Sequence, residues 1–103
     1  MKFFAYEGSV KAKSGQEEAL VGCLLRAAEA MRAVEGCLLY IVGRSAVDPG
    51  TVRVFEVWKS KEAHDNSLSL PGVRALIAEA LPLIDGRPSG GDTWDVAGGK
   101  GLA

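Results

Sequence analysis

Histidine and cysteine are scarce in this chain: one histidine and two cysteines in 103 residues. A single imidazole excludes His-rich metal sites, and it leaves His64 as the one imidazole for any acid–base mechanism. Cys23 and Cys37 are too few for a disulfide framework and too sparse for a zinc pattern. They read as two buried free thiols in a reducing compartment. Excess charge of one sign is also absent. Twelve Lys and Arg oppose thirteen Asp and Glu, a formal net charge of −1. Domains that grip nucleic acid through bulk electrostatics are strongly basic, so no nucleic-acid partner is expected. No apolar run approaches the ~18 residues of a membrane-spanning helix, so no membrane partner is expected either. The opening MKFFAYEGSV reaches Glu7 too soon for the apolar core of a signal peptide, which points to the cytoplasm.

What is present is a globular composition, 48% hydrophobic and 24% charged. A chain of this length buries roughly 65% of its unfolded surface, enough for one ordinary core. Residues 1–103 read as one domain, with 98–103 a loose, glycine-rich tail and 86–91 a loop. Residues 3–12 alternate as a strand, with Phe4, Tyr6, Val10 and Ala12 on one face. Ser14-Gly15-Gln16-Glu17 matches a capping box. Leu20, Leu24, Ala27, Ala28 and Met31 then recur at helical spacing. Gly36 reads as a left-handed helix stop. Strands follow over 37–45 and 52–59, joined by the turn Asp48-Pro49-Gly50. Ser60 is an N-cap for a second helical region, broken at Pro71-Gly72 and resumed with Val73, Leu76, Ile77, Ala80, Leu81 and Ile84 on one stripe. Pro82 should end it. A short strand over 93–97 closes the order β-α-β-β-α-β. That order predicts an α+β, ferredoxin-like fold: an antiparallel sheet with two helices on one face.

Both faces of the central strands are apolar. Val52, Val54, Glu56 and Trp58 share one face of the third strand; Arg53, Phe55 and Val57 share the other. On the second strand Leu38, Tyr40 and Val42 oppose Cys37, Leu39 and Ile41. One face covers the helices. The other would expose an apolar patch larger than monomers tolerate, so a second sheet should cover it, most simply that of an identical subunit.

Gly15, the Glu35-Gly36 pair, Tyr40, Asp48-Pro49-Gly50, Glu56-Val57-Trp58, Ser60 and Glu62-Ala63, taken in order over roughly residues 3–97, resemble the antibiotic biosynthesis monooxygenase (ABM) domain family. The resemblance implies a dimeric α+β barrel, two ferredoxin-like sheets packed face to face. It also implies an oxidoreductase that oxidises a small planar aromatic or quinone-like substrate with O₂ and without bound metal or flavin. Relatives in other classes imply two alternatives: an isomerase or lyase on a small oxygenated metabolite, or a non-catalytic ligand-binding dimer. The family's His four residues after the small residue at 63 is Ser67 here, and its Ser-Pro before the last helix is Leu70-Pro71.

The candidate site follows from side-chain chemistry. Glu56, a carboxylate in an apolar strand, is the candidate general base. His64, one helical turn before Ser67, is the candidate substitute for the missing imidazole. Trp58 offers an aromatic wall with an N–H donor. Tyr6, Tyr40, Asn66 and Ser67 are expected to contact the small-molecule ligand, with 63, 66, 67 and 70 on the inner side of their helix and Ala63 and Ser67 leaving volume for it. No metal site and no cofactor are expected.

Overall fold

The computed structural model describes residues 3–88 and 91–102; the expected loop residue Gly90 falls outside them. Four strands, β1 (Phe3–Lys11), β2 (Cys37–Arg44), β3 (Thr51–Trp58) and β4 (Asp92–Val96), form one antiparallel sheet in the order β2-β3-β1-β4. Three helices, α1 (Glu17–Ala30), α2 (Lys61–Ser67) and α3 (Pro71–Ala80), complete the α+β, ferredoxin-like arrangement. The predicted strands and helices are present, with the second helical region split as expected. Pro71 opens α3 at its first turn, where its missing N–H costs nothing, and Pro82 lies in a 3₁₀ turn over Leu81–Leu83.

The main core lies between the sheet and the α1–α3 pair. Leu20 and Cys23 of α1, Val52 of β3, Ala80 of α3, Ala12 and Ile84 are buried together. The Cys23 thiol donates to the Leu76 carbonyl at 3.3 Å, and Arg26 pairs with Glu79 on the exposed side. Cys23 and Cys37 are both free. A second cluster of Met31, Trp58 and Val73 fills the other end, beneath α2.

Four local expectations are corrected. Ser14 does not cap α1. Lys13 and Gln16 close a tight turn (Gln16 N–H to Lys13 C=O, 2.9 Å) with Gly15 at φ +83°, so the helix starts at Glu17 with Gln16 in the N-cap position and no side-chain cap. Gly36 is not left-handed. α1 instead tightens into a 3₁₀ turn over Met31–Ala33, and Gly36 is required by proximity: a Cβ there would lie 2.7 Å from the Ala63 Cβ. On β2 the pairing shifts between Cys37 and Leu39, a bulge at Leu38. One extra residue inverts the alternation, so Cys37 joins Trp58 on the helix side rather than Leu39 on the far side. The tail is not loose through Leu102, which packs on Ala5, Val57 and Val96 on the sheet face away from the helices. Burying an isopropyl group on an otherwise bare apolar face supplies the driving force.

That outer face carries Phe55 packed at a tilt against an exposed Trp94, 5.2 Å between centroids and 49° between planes, with Leu39 and Ile41 exposed beside them. Its large side chains are apolar, as the two-faced pattern predicts, and the Arg53–Glu7 ion pair at 3.6 Å lies among them.

Candidate functional site

The register places Tyr6, Glu56 and Tyr40 side by side, one residue from each of β1, β3 and β2. This single polar rung crosses the helix-facing side of the sheet. The neighbouring rungs are apolar: Phe4 with Trp58 at one end, Gly8, Val54 and Val42 at the other. Above the rung lies a cavity of about 310 Å³, floored by Tyr6, Tyr40 and Glu56 and walled by α1, the α2 C-terminus and α3. Its volume is at the small end of ligand pockets, which run from about 300 Å³.

Glu56 is 7% exposed. The Trp58 indole Nε1 donates to its Oε1 at 3.0 Å. Burial pushes the carboxyl pKa above the ordinary carboxylate range; the Trp58 hydrogen bond and the nearby His64 pull partly the other way. Burial likewise raises the Tyr40 phenol, and the Glu56 charge adds to it, so Tyr40 is held as the neutral O–H donor.

The His64 side chain is largely enclosed, 12% exposed. Its ring stacks on Tyr6 (5.4 Å, 26°), leans on Phe4 (5.4 Å) and meets Trp58 edge-on (5.6 Å). Nε2 lies 3.9 Å from Glu56 Oε1, and Nδ1 lies 2.9 Å from Asp65 Oδ1. Asp65 is solvent-exposed and also accepts from Lys61 at 2.7 Å, which with His64 holds its carboxyl below the usual range. The imidazole thus sits between a buried carboxylate, at a distance beyond a direct hydrogen bond, and an exposed one that it contacts directly.

The orientation of α2 explains these positions. Ser60 caps the helix, its Oγ accepting the Ala63 N–H at 3.1 Å, and Ala63 is pressed against Gly36. Positions 63, 64 and 67 therefore face inward, at helical spacing. This corrects two expectations. Asn66 is exposed and does not reach the cavity, since it lies at the flank of the face that 63, 64 and 67 turn inward. Ala63 fits the Gly36 contact rather than leaving ligand volume. Ser67 is buried at the cavity wall, but its hydroxyl donates to the His64 carbonyl at 2.6 Å. Trp58 is fully buried behind Glu56 and is not part of the cavity wall; its indole serves the carboxylate instead.

Sequence reasoning missed Asp65, whose adjacency to His64 was the available signal, and the aliphatic wall of α3. Ile77 and Leu81 lie on the apolar stripe expected to be core, yet both are exposed at the cavity mouth. Among the described residues no group of three His, Cys, Asp or Glu side chains is placed to hold a metal ion. No helix of the described residues is long and apolar enough to cross a membrane.

The sequence profile of the family described as antibiotic biosynthesis monooxygenase matches residues 4–79. The chain belongs to this family. A candidate antibiotic biosynthesis monooxygenase of Chloroflexus aurantiacus is 35% identical, superposes with a TM-score of 0.86, and the match covers 98% of this chain and 99% of that one. A second candidate monooxygenase, from Deinococcus radiodurans, is 26% identical at a TM-score of 0.76, covering 94% and 93%. A conserved protein of Methanosarcina mazei, 14% identical, shares the fold at 0.85 over 93% and 94%. No curated protein matches the chain.

Proposed function

We propose that this family member is a monooxygenase-like oxidoreductase that oxidises a small planar aromatic or quinol-like substrate with O₂, without a bound cofactor, in the cavity above the Tyr6–Glu56–Tyr40 rung. The observation that carries the proposal is a buried carboxylate of raised pKa opening onto an otherwise apolar pocket. A base of raised pKa takes a proton from an acidic phenol or ring methylene more readily than an ordinary carboxylate does. The resulting anion is electron-rich and reacts with O₂ itself. For a ring methylene the balance is simple: carbon keeps one oxygen atom as a carbonyl, and the other leaves as water with the two methylene hydrogens. The protein supplies a dry cavity, the base Glu56, the phenol donors Tyr6 and Tyr40, and an imidazole, His64, poised to relay the proton toward Asp65. The reaction is proposed to take place in the cytoplasm, a reducing compartment that fits two free thiols.

The bare outer face, with Trp94, Phe55, Ile41 and Leu39, supports a homodimer formed through the two sheets. A second reading, a ligand-binding dimer without turnover, is favoured by one observation. Ser67 stands where the family carries a histidine, and its hydroxyl is engaged by the His64 carbonyl.

Oxygen uptake separates the two. With a panel of quinols and hydroxylated polycyclic aromatics, one O₂ should disappear per substrate in air, with no product under argon. Glu56→Gln should lower the rate about 10²–10⁴-fold. Tight binding of panel members without oxygen uptake would leave only the binding reading.

A further inference from the structure

The cavity is polar on one side only. Its hydroxyl and carboxyl groups, Tyr6, Tyr40, Glu56 and Ser67, come from the sheet and the end of α2, whereas the side toward α3 is aliphatic. The aliphatic lining continues out of the cavity. Leu68 (48% exposed), Ile77 (43%) and Leu81 (55%) all line it and all reach solvent. Three large aliphatic side chains left half in water around one opening form a continuous apolar track from the rung to the surface. Scattered surface leucines need no explanation, but a group rimming a pocket mouth does.

The small cavity and the track together define a ligand shape. Resting on the reading of the cavity as the substrate site, we propose that the natural ligand is amphipathic. Its planar, hydroxylated ring lies on the Tyr6–Glu56–Tyr40 rung, and an alkyl or isoprenoid chain leaves between Leu68, Ile77 and Leu81. The ring uses the polar row that floors the cavity, so a second polar group at the far end of the ligand would meet aliphatic wall and lose its hydrogen bonds to water. A chain there instead covers the three exposed side chains. The rim is aliphatic rather than aromatic, which suits a flexible chain more than a further fused ring.

The test needs no turnover. Binding of 4-n-alkylphenols, from methyl to nonyl, is measured calorimetrically under argon with the full chain. Leu and Ile methyl signals are followed by NMR in the same titrations. Affinity should rise about fourfold per added methylene while the chain lies along the track, then level off. The Leu68, Ile77 and Leu81 methyls should shift, and Ile77→Ser should flatten the slope of log Kd against chain length. An affinity that does not change with chain length, while 4-methylphenol still binds, overturns the amphipathic ligand but leaves the cavity reading standing. Shifts confined to Leu39 and Ile41 put the chain on the outer sheet and overturn it too. Failure of every phenol, 4-methylphenol included, removes the cavity reading itself.

Discussion

Replacing Glu56 by glutamine removes a buried charge while keeping size and one acceptor oxygen for the Trp58 indole. The stability consequence has a defined sign. Burial raises the Glu56 pKa, so the folded state holds this proton more tightly than the unfolded chain does. Stability from this group is then fully present below the unfolded carboxyl pKa and is lost as pH rises through the higher folded value. Each unit of elevation corresponds to about 1.4 kcal/mol lost above both values. Burial is nearly complete, at 7% exposure, and is only partly offset by the indole bond and the imidazole at 3.9 Å. A net cost on the order of 1–2 kcal/mol at pH 8 follows from the usual penalty for imperfectly compensated polar burial. Glu56→Gln should therefore be more stable than the parent at pH 8 by about 4–8 °C per kcal/mol in Tm. The gain should shrink as pH falls toward 4, where the parent carboxyl is protonated. Parallel thermal melts by circular dichroism across that range measure it, and the same variant should lose turnover. A gain that is constant with pH, or one that grows as the solution is acidified, would refute the desolvation argument.

Trp58→Phe removes the only indole donor to Glu56, so the Glu56 pKa, followed by ¹³C NMR of the carboxyl, should move further up; an unchanged or lower value would mean that the 3.0 Å bond does not stabilise the carboxylate. Gly36→Ala forces a Cβ against Ala63, whose own Cβ cannot swing aside, and should cost about 1–3 kcal/mol by denaturant melts. Pairing it with Ala63→Gly should return much of that loss, and a purely additive double variant would deny the contact. Ile41→Glu puts a charge on the exposed outer face, on the edge strand β2. Light scattering should show twice the chain mass for the parent and a monomer for the variant, whereas a monomeric parent would remove the dimer.

Much of the fold was legible because it rests on short-range signals. Period-two alternation placed the strands, the stripe from Val73 to Ile84 placed α3, and Ser60 and Pro71 marked helix starts that the structure retains. The signals that misled were local patterns overruled by their surroundings. Ser14 and Glu17 have capping-box spacing, but the turn at Gly15 separates Ser14 from the helix that Glu17 begins. Gly36 looks like a helix stop and is instead a close approach between chain segments that are distant in sequence.

Strand periodicity alone puts Glu56 and Trp58 on one face with an apolar face behind them, and composition alone leaves a single imidazole. What those residues meet depends on the folded packing. Strand register, set by pairing across β1, β3 and β2, assembled Tyr6, Glu56 and Tyr40 into one rung; nothing within any one strand encodes its neighbour's offset. The rotation of α2 is set by the fit of Ala63 on Gly36 and by the cap at Ser60. It turned His64 inward between Glu56 and Asp65 and turned Asn66 out to solvent. A helix of seven residues carries too few apolar positions to fix its own facing, so packing fixed it.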